Sequence, residues 1–181
     1  MRYKVFSHRH GDIIINCDYS IKKEIDIILD EISCLEISKF HDMFNQERID
    51  RGKKEAKGMQ PSLKRLLDNK FENLEWKINE VVFSDQDNNL IVDYYKRKIG
   101  IDVSFKHASS TGSDLLKLQA AGDIQKSINI AIIICGTREF NGYISPSDAS
   151  SMVNFDKFKW YLETFYSVIN IPILLIGLDL D

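Results

Sequence analysis

Residues 92–107 read VDYYKRKIGIDVSFKH, and this stretch decides how the chain folds. Side chains on a strand alternate between faces, so Ile99, Ile101, Val103 and Phe105 share one side. Lys98, Gly100, Asp102, Ser104 and Lys106 fall on the other. The apolar residues before it, with YKRK at or near a tip, predict a β-hairpin. Such a hairpin returns Asp93 to the side of Asp102. Two adjacent carboxylates repel and cost free energy unless a cation or a proton compensates. A divalent ion held by oxygen ligands is one compensation, and Mg²⁺ or Mn²⁺ suits that donor set. Spacing alone leaves another arrangement open. Asp93 can pair with Lys96, Arg97 or Lys98 at a solvated tip, with Asp102 facing water on an edge strand.

Outward from the hairpin, the apolar spacing of Ile21, Ile25, Ile28, Leu29 and Ile32 predicts a helix over Ser20–Ile32, with Ser20 as N-cap. Pro61 is expected to open a short helix reaching Leu67. A second short helix is expected over Asn73–Asn79, before the strand EVVF and a turn at SDQDNN. Gly112–Ile128 carries a helical pattern through Leu115, Leu116, Leu118 and Ala121. IAIIIC at Ile130–Cys135 is apolar throughout, as in a strand covered on both faces. The loop GTREFNGYISPSDASS follows, then a helix over Phe155–Val168 and a buried strand IPILLIGL with Pro172 at its start. Helices alternating with buried strands after an antiparallel hairpin give an α/β fold, a mixed central sheet flanked by helices. Residues 1–181 are expected to form one domain.

The chain has 44% apolar and 28% charged residues and a formal charge of −3, so no global basic field marks it for nucleic acid. No apolar run approaches the roughly 20 residues of a membrane span. The start, MRYKVFSHRHGD, lacks the apolar core of a secretory signal. Cys17, Cys34 and Cys135 are scattered, with no CxxC pair. A cytoplasmic protein with reduced thiols and no membrane association is expected.

At the hairpin the sequence resembles the type II restriction endonucleases of the BglII/BstYI group, within the PD-(D/E)xK nuclease superfamily. Those enzymes carry an aspartate, eight residues with a basic turn, then Glu-Val-Gln-Phe. Here Asp93 is followed by eight residues containing KRK and then Asp102-Val103-Ser104-Phe105. VFSHRHG is similar to the family's N-terminal Tyr-Ser-His stretch, and EWKIN to its Trp-Lys-x-Asn segment. SDASSM and NIPILLIGL have counterparts in the same order. The resemblance implies a restriction-endonuclease-like core and Mg²⁺-dependent hydrolysis of DNA (Mn²⁺ as substitute) at a short palindrome with a GATC-like centre, by a homodimer. By position it implies Asp93, Asp102 and the Val103 carbonyl as metal ligands. Ser104 stands where the family has a glutamine that helps position the attacking water. Asn79 matches the upstream asparagine, with Glu75 as a nearby alternative. Where the family has Glu and Gln this chain has Asp102 and Ser104, and Lys98 or Lys106 is available as a compensating cation. A nuclease-fold protein that binds DNA without cutting it is the alternative raised by those two differences.

Arg48, Arg51, Lys53, Lys54, Lys57, Lys64 and Arg65 crowd one segment, as phosphate contacts require. Gly52 and Gly58 suggest an arm that orders on double-stranded DNA, though a solvated helix face has the same composition. Donors and acceptors for base edges are expected in KHASSTGS, at Lys106, His107, Ser109 and Ser110, and at Asp148, Ser150 and Ser151. The resemblance implies base contacts from both places, whereas Ser147 or Asp148 could simply cap the next helix. His8 and His10 lack a third ligand and are read as structural or as dimer contacts. Cys135, Trp76 and Trp160 are read as core.

Overall fold

A computed structural model describes residues 2–85 and 88–180 of the chain. The apolar run expected as a covered strand is β5 (Ile130–Gly136), in which every residue is buried. Burying one Ile or Val side chain contributes about 1.5–3 kcal/mol, so this run goes to the centre of the molecule. It lies parallel to β4 (Ile99–Ser104) on one side and to β6 (Ile173–Asp179) on the other. β3 (Asn88–Lys96) and β2 (Lys77–Asp85) extend the sheet antiparallel beyond β4, and β1 (Arg2–His8) closes the opposite edge against β6. Among the described residues the sheet has six strands in the order β1-β6-β5-β4-β3-β2.

Two apolar layers cover it. On one face, α1 (Gly11–Cys17), α2 (Tyr19–Glu31), α3 (Cys34–Asp50), α4 (Gln60–Asn73) and α6 (Arg138–Ile144) pack on Ile99, Ile101, Val103, Ile132 and Ile134. On the other, α5 (Thr111–Gln119) and α7 (Phe155–Thr164) pack on Ala131, Ile133, Cys135 and Leu175. α7 comes so close that a Cβ on Gly177 would stand 2.6 Å from the Phe155 ring. The α/β class and the mixed sheet are as expected.

The local expectations held unevenly. Arg97 and Lys98 do form the hairpin tip, both with positive φ. Gln86 and Asp87, inside the expected SDQDNN turn, lie outside the described residues, as do Met1 and Asp181. The N-cap of α2 is Asp18, whose side chain accepts from the Ile21 N–H, not Ser20. The Pro61 helix runs on to Asn73. No helix covers Asn73–Asn79. There Glu75 takes a positive φ and Trp76 turns inward edge-on to Phe71, so the chain reverses and Lys77 begins β2. Trp160 is 55% exposed rather than core. α1, α3, α6 and β1 were not anticipated.

Candidate active site

β3 and β4 form a ladder only from Tyr94–Lys96 to Ile99–Ile101. Beyond it the strands part, and the Val103 N–H donates to Asp93 Oδ2 at 2.7 Å instead of to a main-chain carbonyl of β3. The β2–β3 register sets Asn79 opposite Asp93, between the pairs Ile78↔Tyr94 and Glu80↔Val92. Asn79 has φ +53°, the left-handed region that Asn tolerates better than most residues. Across this point β3 changes face, since Tyr94 packs in one core layer and Val92 in the other. Regular alternation would keep residues two apart on one side. The break turns Asp93 toward the splayed gap.

Asp102 is 2% exposed on an interior strand, which removes the edge-strand arrangement. The tip cations are also committed elsewhere: Lys96 to Glu24 at 2.8 Å, and Arg97 to Ser20 at 2.7 Å and Asp18 at 3.7 Å. Burial pushes the Asp102 carboxyl up to about 6, with the charge of Asp93 adding to the effect and Lys117 opposing it. Lys117, from α5, donates to Asp102 Oδ1 at 2.7 Å and stands 2.6 Å from Oδ2. Oδ2 is buried and accepts no hydrogen bond of good geometry. Lys64 of α4 reaches Asp93 Oδ1 at 3.4 Å while bonding Asp68 and Tyr94.

No three His, Cys, Asp or Glu side chains converge among the described residues, so a metal here would rely on two carboxylates, a carbonyl and water. That is a hard, oxygen-only donor set. Asp102 Oδ2 is a buried oxygen within it that, among the described residues, accepts no well-aligned hydrogen bond and has only the Lys117 ammonium beside it. Both features fit Mg²⁺ or Mn²⁺.

Ser104 is buried, and its hydroxyl donates to Asp114 Oδ2 at 3.3 Å. Lys106 takes the other oxygen of Asp114 at 3.4 Å. Burial lowers the affinity of Lys106 for its proton, but Asp102 and Asp114 outweigh it and hold the ammonium above its usual range. Of the two compensating cations expected, Lys98 sits at the exposed tip and Lys106 lies beside the site. Asp114 and Lys117 were missed. Their signal was two charged residues at i,i+3 on the helix stripe that also carries Leu118 and Ala121, where the apolar count passed over them.

The two loops expected to read bases meet. Ala108 N–H donates to the Ser151 carbonyl at 2.8 Å, Val153 N–H to that of Lys106 at 3.0 Å, and His107 bridges Met152. His107 Nδ1 accepts from the Ser109 N–H at 3.2 Å, leaving the proton on Nε2 of an exposed ring. Asp148 does not cap α7; Asn154 does, and Asp148 accepts from Ser145 and Ser147 instead. Ser109 and Ser150 are exposed.

Lys53, Lys54 and Lys57 are exposed between α3 and α4, in a segment tied back at several points. Arg48 holds the Lys54 carbonyl at 2.8 Å, Asn45 takes the Ala56 N–H at 2.9 Å, and Met59 N–H reaches the Ile144 carbonyl at 2.7 Å. Gln60 touches the Met152 sulfur at 3.7 Å, so the segment runs into the joined loops. The expected arm is therefore anchored at both ends. Arg48, Arg51, Lys53 and Arg65 line one depression with Phe44 and Glu47.

Three other residues singled out are structural. His8 is buried and bonds the Ile169 carbonyl at 2.8 Å, Trp76 donates to Glu24 at 2.7 Å, and burial raises the Cys135 thiol far above nucleophilic range. No described helix is long and apolar enough to cross a membrane.

The fold is similar to that in a crystal structure of restriction endonuclease BglII complexed with a DNA 16-mer. The TM-score is 0.69 at 18% identity, over 100% of this chain and 78% of that one. No curated protein matches the sequence. A family model described as restriction endonuclease BglII/BglIII matches residues 3–178, nearly the whole chain. The chain belongs to the BglII/BglIII restriction endonuclease family, whose members are site-specific deoxyribonucleases.

Proposed function

We propose that the chain hydrolyses DNA phosphodiesters in a Mg²⁺-dependent reaction at a short palindrome, acting as a homodimer. The observation that carries this is the half-buried Asp93 turned toward the buried Asp102 where β3 and β4 part. Asp93, Asp102 and the Val103 carbonyl hold the ion, which supplies Lewis-acid stabilisation of charge growing on the scissile phosphate. The Val103 N–H orients Asp93 through Oδ2, so that Oδ1, with Lys64 3.4 Å away, is the oxygen turned to the ion. Ser104 acts at one remove: its hydroxyl aligns Asp114, and Asp114 aligns the Lys106 ammonium toward the phosphate. Asn79, exposed and opposite Asp93, is placed to donate to an adjacent phosphate oxygen.

Lys53, Lys54 and Lys57 hold the duplex by its phosphates, while His107, Ser109, Asp148, Ser150 and Ser151 face base edges from the joined loops. A palindrome presents the same edges twice, which suits a two-fold dimer. A GATC-like centre is the site suggested by family membership.

The test is digestion of phage DNA with Mg²⁺ or Mn²⁺, beside Asp93→Ala. Discrete metal-dependent fragments are expected from the wild type and at least about a thousandfold less cleavage from the variant, a loss of about 4 kcal/mol of transition-state stabilisation. Uncut DNA from folded protein with either metal would sink the proposal, and sequenced ends would test the GATC-like centre.

A further inference from the structure

The cation nearest Asp102 comes from a helix, not from the hairpin. Lys117 stands 2.6 Å from Oδ2 and 2.7 Å from Oδ1, with its side chain 13% exposed and that of Asp102 only 3%. The other cations near the carboxylates have partners of their own. Lys64 is shared among Asp68, Tyr94 and Asp93, and Lys106 is paired with Asp114. Asp102 is the ion-pair partner of Lys117 among the described residues.

We infer that Lys117 is the counter-ion built into the metal-free site, holding Asp102 ionised and aimed until a divalent cation displaces it. This rests on the assignment of Asp93 and Asp102 as metal ligands. Two carboxylates this close, one nearly fully buried, destabilise the fold without a compensating charge. Lys117 supplies that charge from the last turn of α5, on a flexible stem that can swing aside. An arginine there would keep the charge. A neutral residue would leave Asp102 awaiting a cation. Lys117 is thus a positioning residue that acts through Asp102, and it competes with the metal for the same oxygens.

The competition sets the sign of the test. An opposite charge in contact with a carboxylate shifts its affinity for a competing cation by about one to three decades. Mn²⁺ binding to the purified, DNA-free chain is measured by electron paramagnetic resonance for wild type, Lys117→Met, Lys117→Arg and Asp93→Ala. Lys117→Met is expected to bind Mn²⁺ at least about tenfold more tightly than wild type, with Lys117→Arg staying near wild type. Mn²⁺ should also raise the melting temperature of Lys117→Met by more than it raises that of wild type. If Lys117→Met does not fold, Lys117→Gln stands in the same comparison. Equal affinity in Lys117→Met and wild type, with binding lost in Asp93→Ala, overturns the counter-ion and spares the ligand assignment. Absence of binding in both wild type and Lys117→Met, or binding retained by Asp93→Ala, overturns both.

Discussion

Asp102 is buried on an interior strand of the sheet, and that burial has a measurable consequence. Folded, it keeps its proton up to about pH 6, whereas an unfolded aspartate releases it near 3.9. Between those values the folded state binds the more protons, so this group lowers stability as pH rises from about 4 to about 6. A shift of about two units corresponds to about 3 kcal/mol. Asp102→Asn lacks this titration. The unfolding free energy of the variant minus that of wild type should therefore grow by up to about 3 kcal/mol between pH 4 and pH 7. Urea titrations at unit pH steps measure it, and a constant difference would mean that Asp102 stays ionised throughout. The attraction of Lys117 for the ionised carboxylate is already contained in that pKa, so it adds no separate slope. Asp93 and Asp102 were legible because strand alternation and hairpin spacing are local. Lys117 was not, because its partner lies on another element and nothing in the helix pattern says which strand the helix will cover.

At the scale of elements, the hairpin tip carries a cost that its sequence does not relieve. Arg97 and Lys98 have φ of +49° and +63°, where a side chain costs about 1 kcal/mol and glycine costs nothing. Arg97 recovers part of this through Ser20 and Asp18. Lys98 is exposed at the second position of the turn. Lys98→Gly is expected to stabilise the chain by about 0.5–1 kcal/mol net of the added freedom of the unfolded state, with cleavage unchanged. A lower urea midpoint would show that Lys98 has a role beyond the turn. The elements that were read correctly have this local character: β5 announces itself by seven buried residues in a row, and α2 by its isoleucines. Those that were missed lack it. α3 buries only Ile37 of its 17 residues, so it shows no apolar stripe to read. β1 is an edge strand with four of its seven residues exposed, and α6 is seven residues long inside a segment rich in turn formers.

For the whole molecule, a formal charge of −3 and a DNA substrate are reconciled by distribution. Lys53, Lys54 and Lys57 are exposed between α3 and α4, on a segment pinned to α3 and to the end of α6, so their positive charge is presented on a fixed surface. Each phosphate neutralised by a lysine contributes about 0.9 to the slope of log affinity against log salt. Replacing Lys53, Lys54 and Lys57 together by alanine removes up to three contacts per chain. The slope should fall by up to about 3 if one chain binds and by about 5 if a dimer places both copies on the duplex. The proposed base contacts lie on other segments, so the set of fragments produced should stay the same while more enzyme is needed to make them. Binding to a fixed duplex in Ca²⁺ between 50 and 300 mM salt, with sedimentation giving the stoichiometry, reads both quantities. A slope unchanged in the triple variant would remove this segment from the DNA interface, and an altered fragment pattern would make it a reader of sequence.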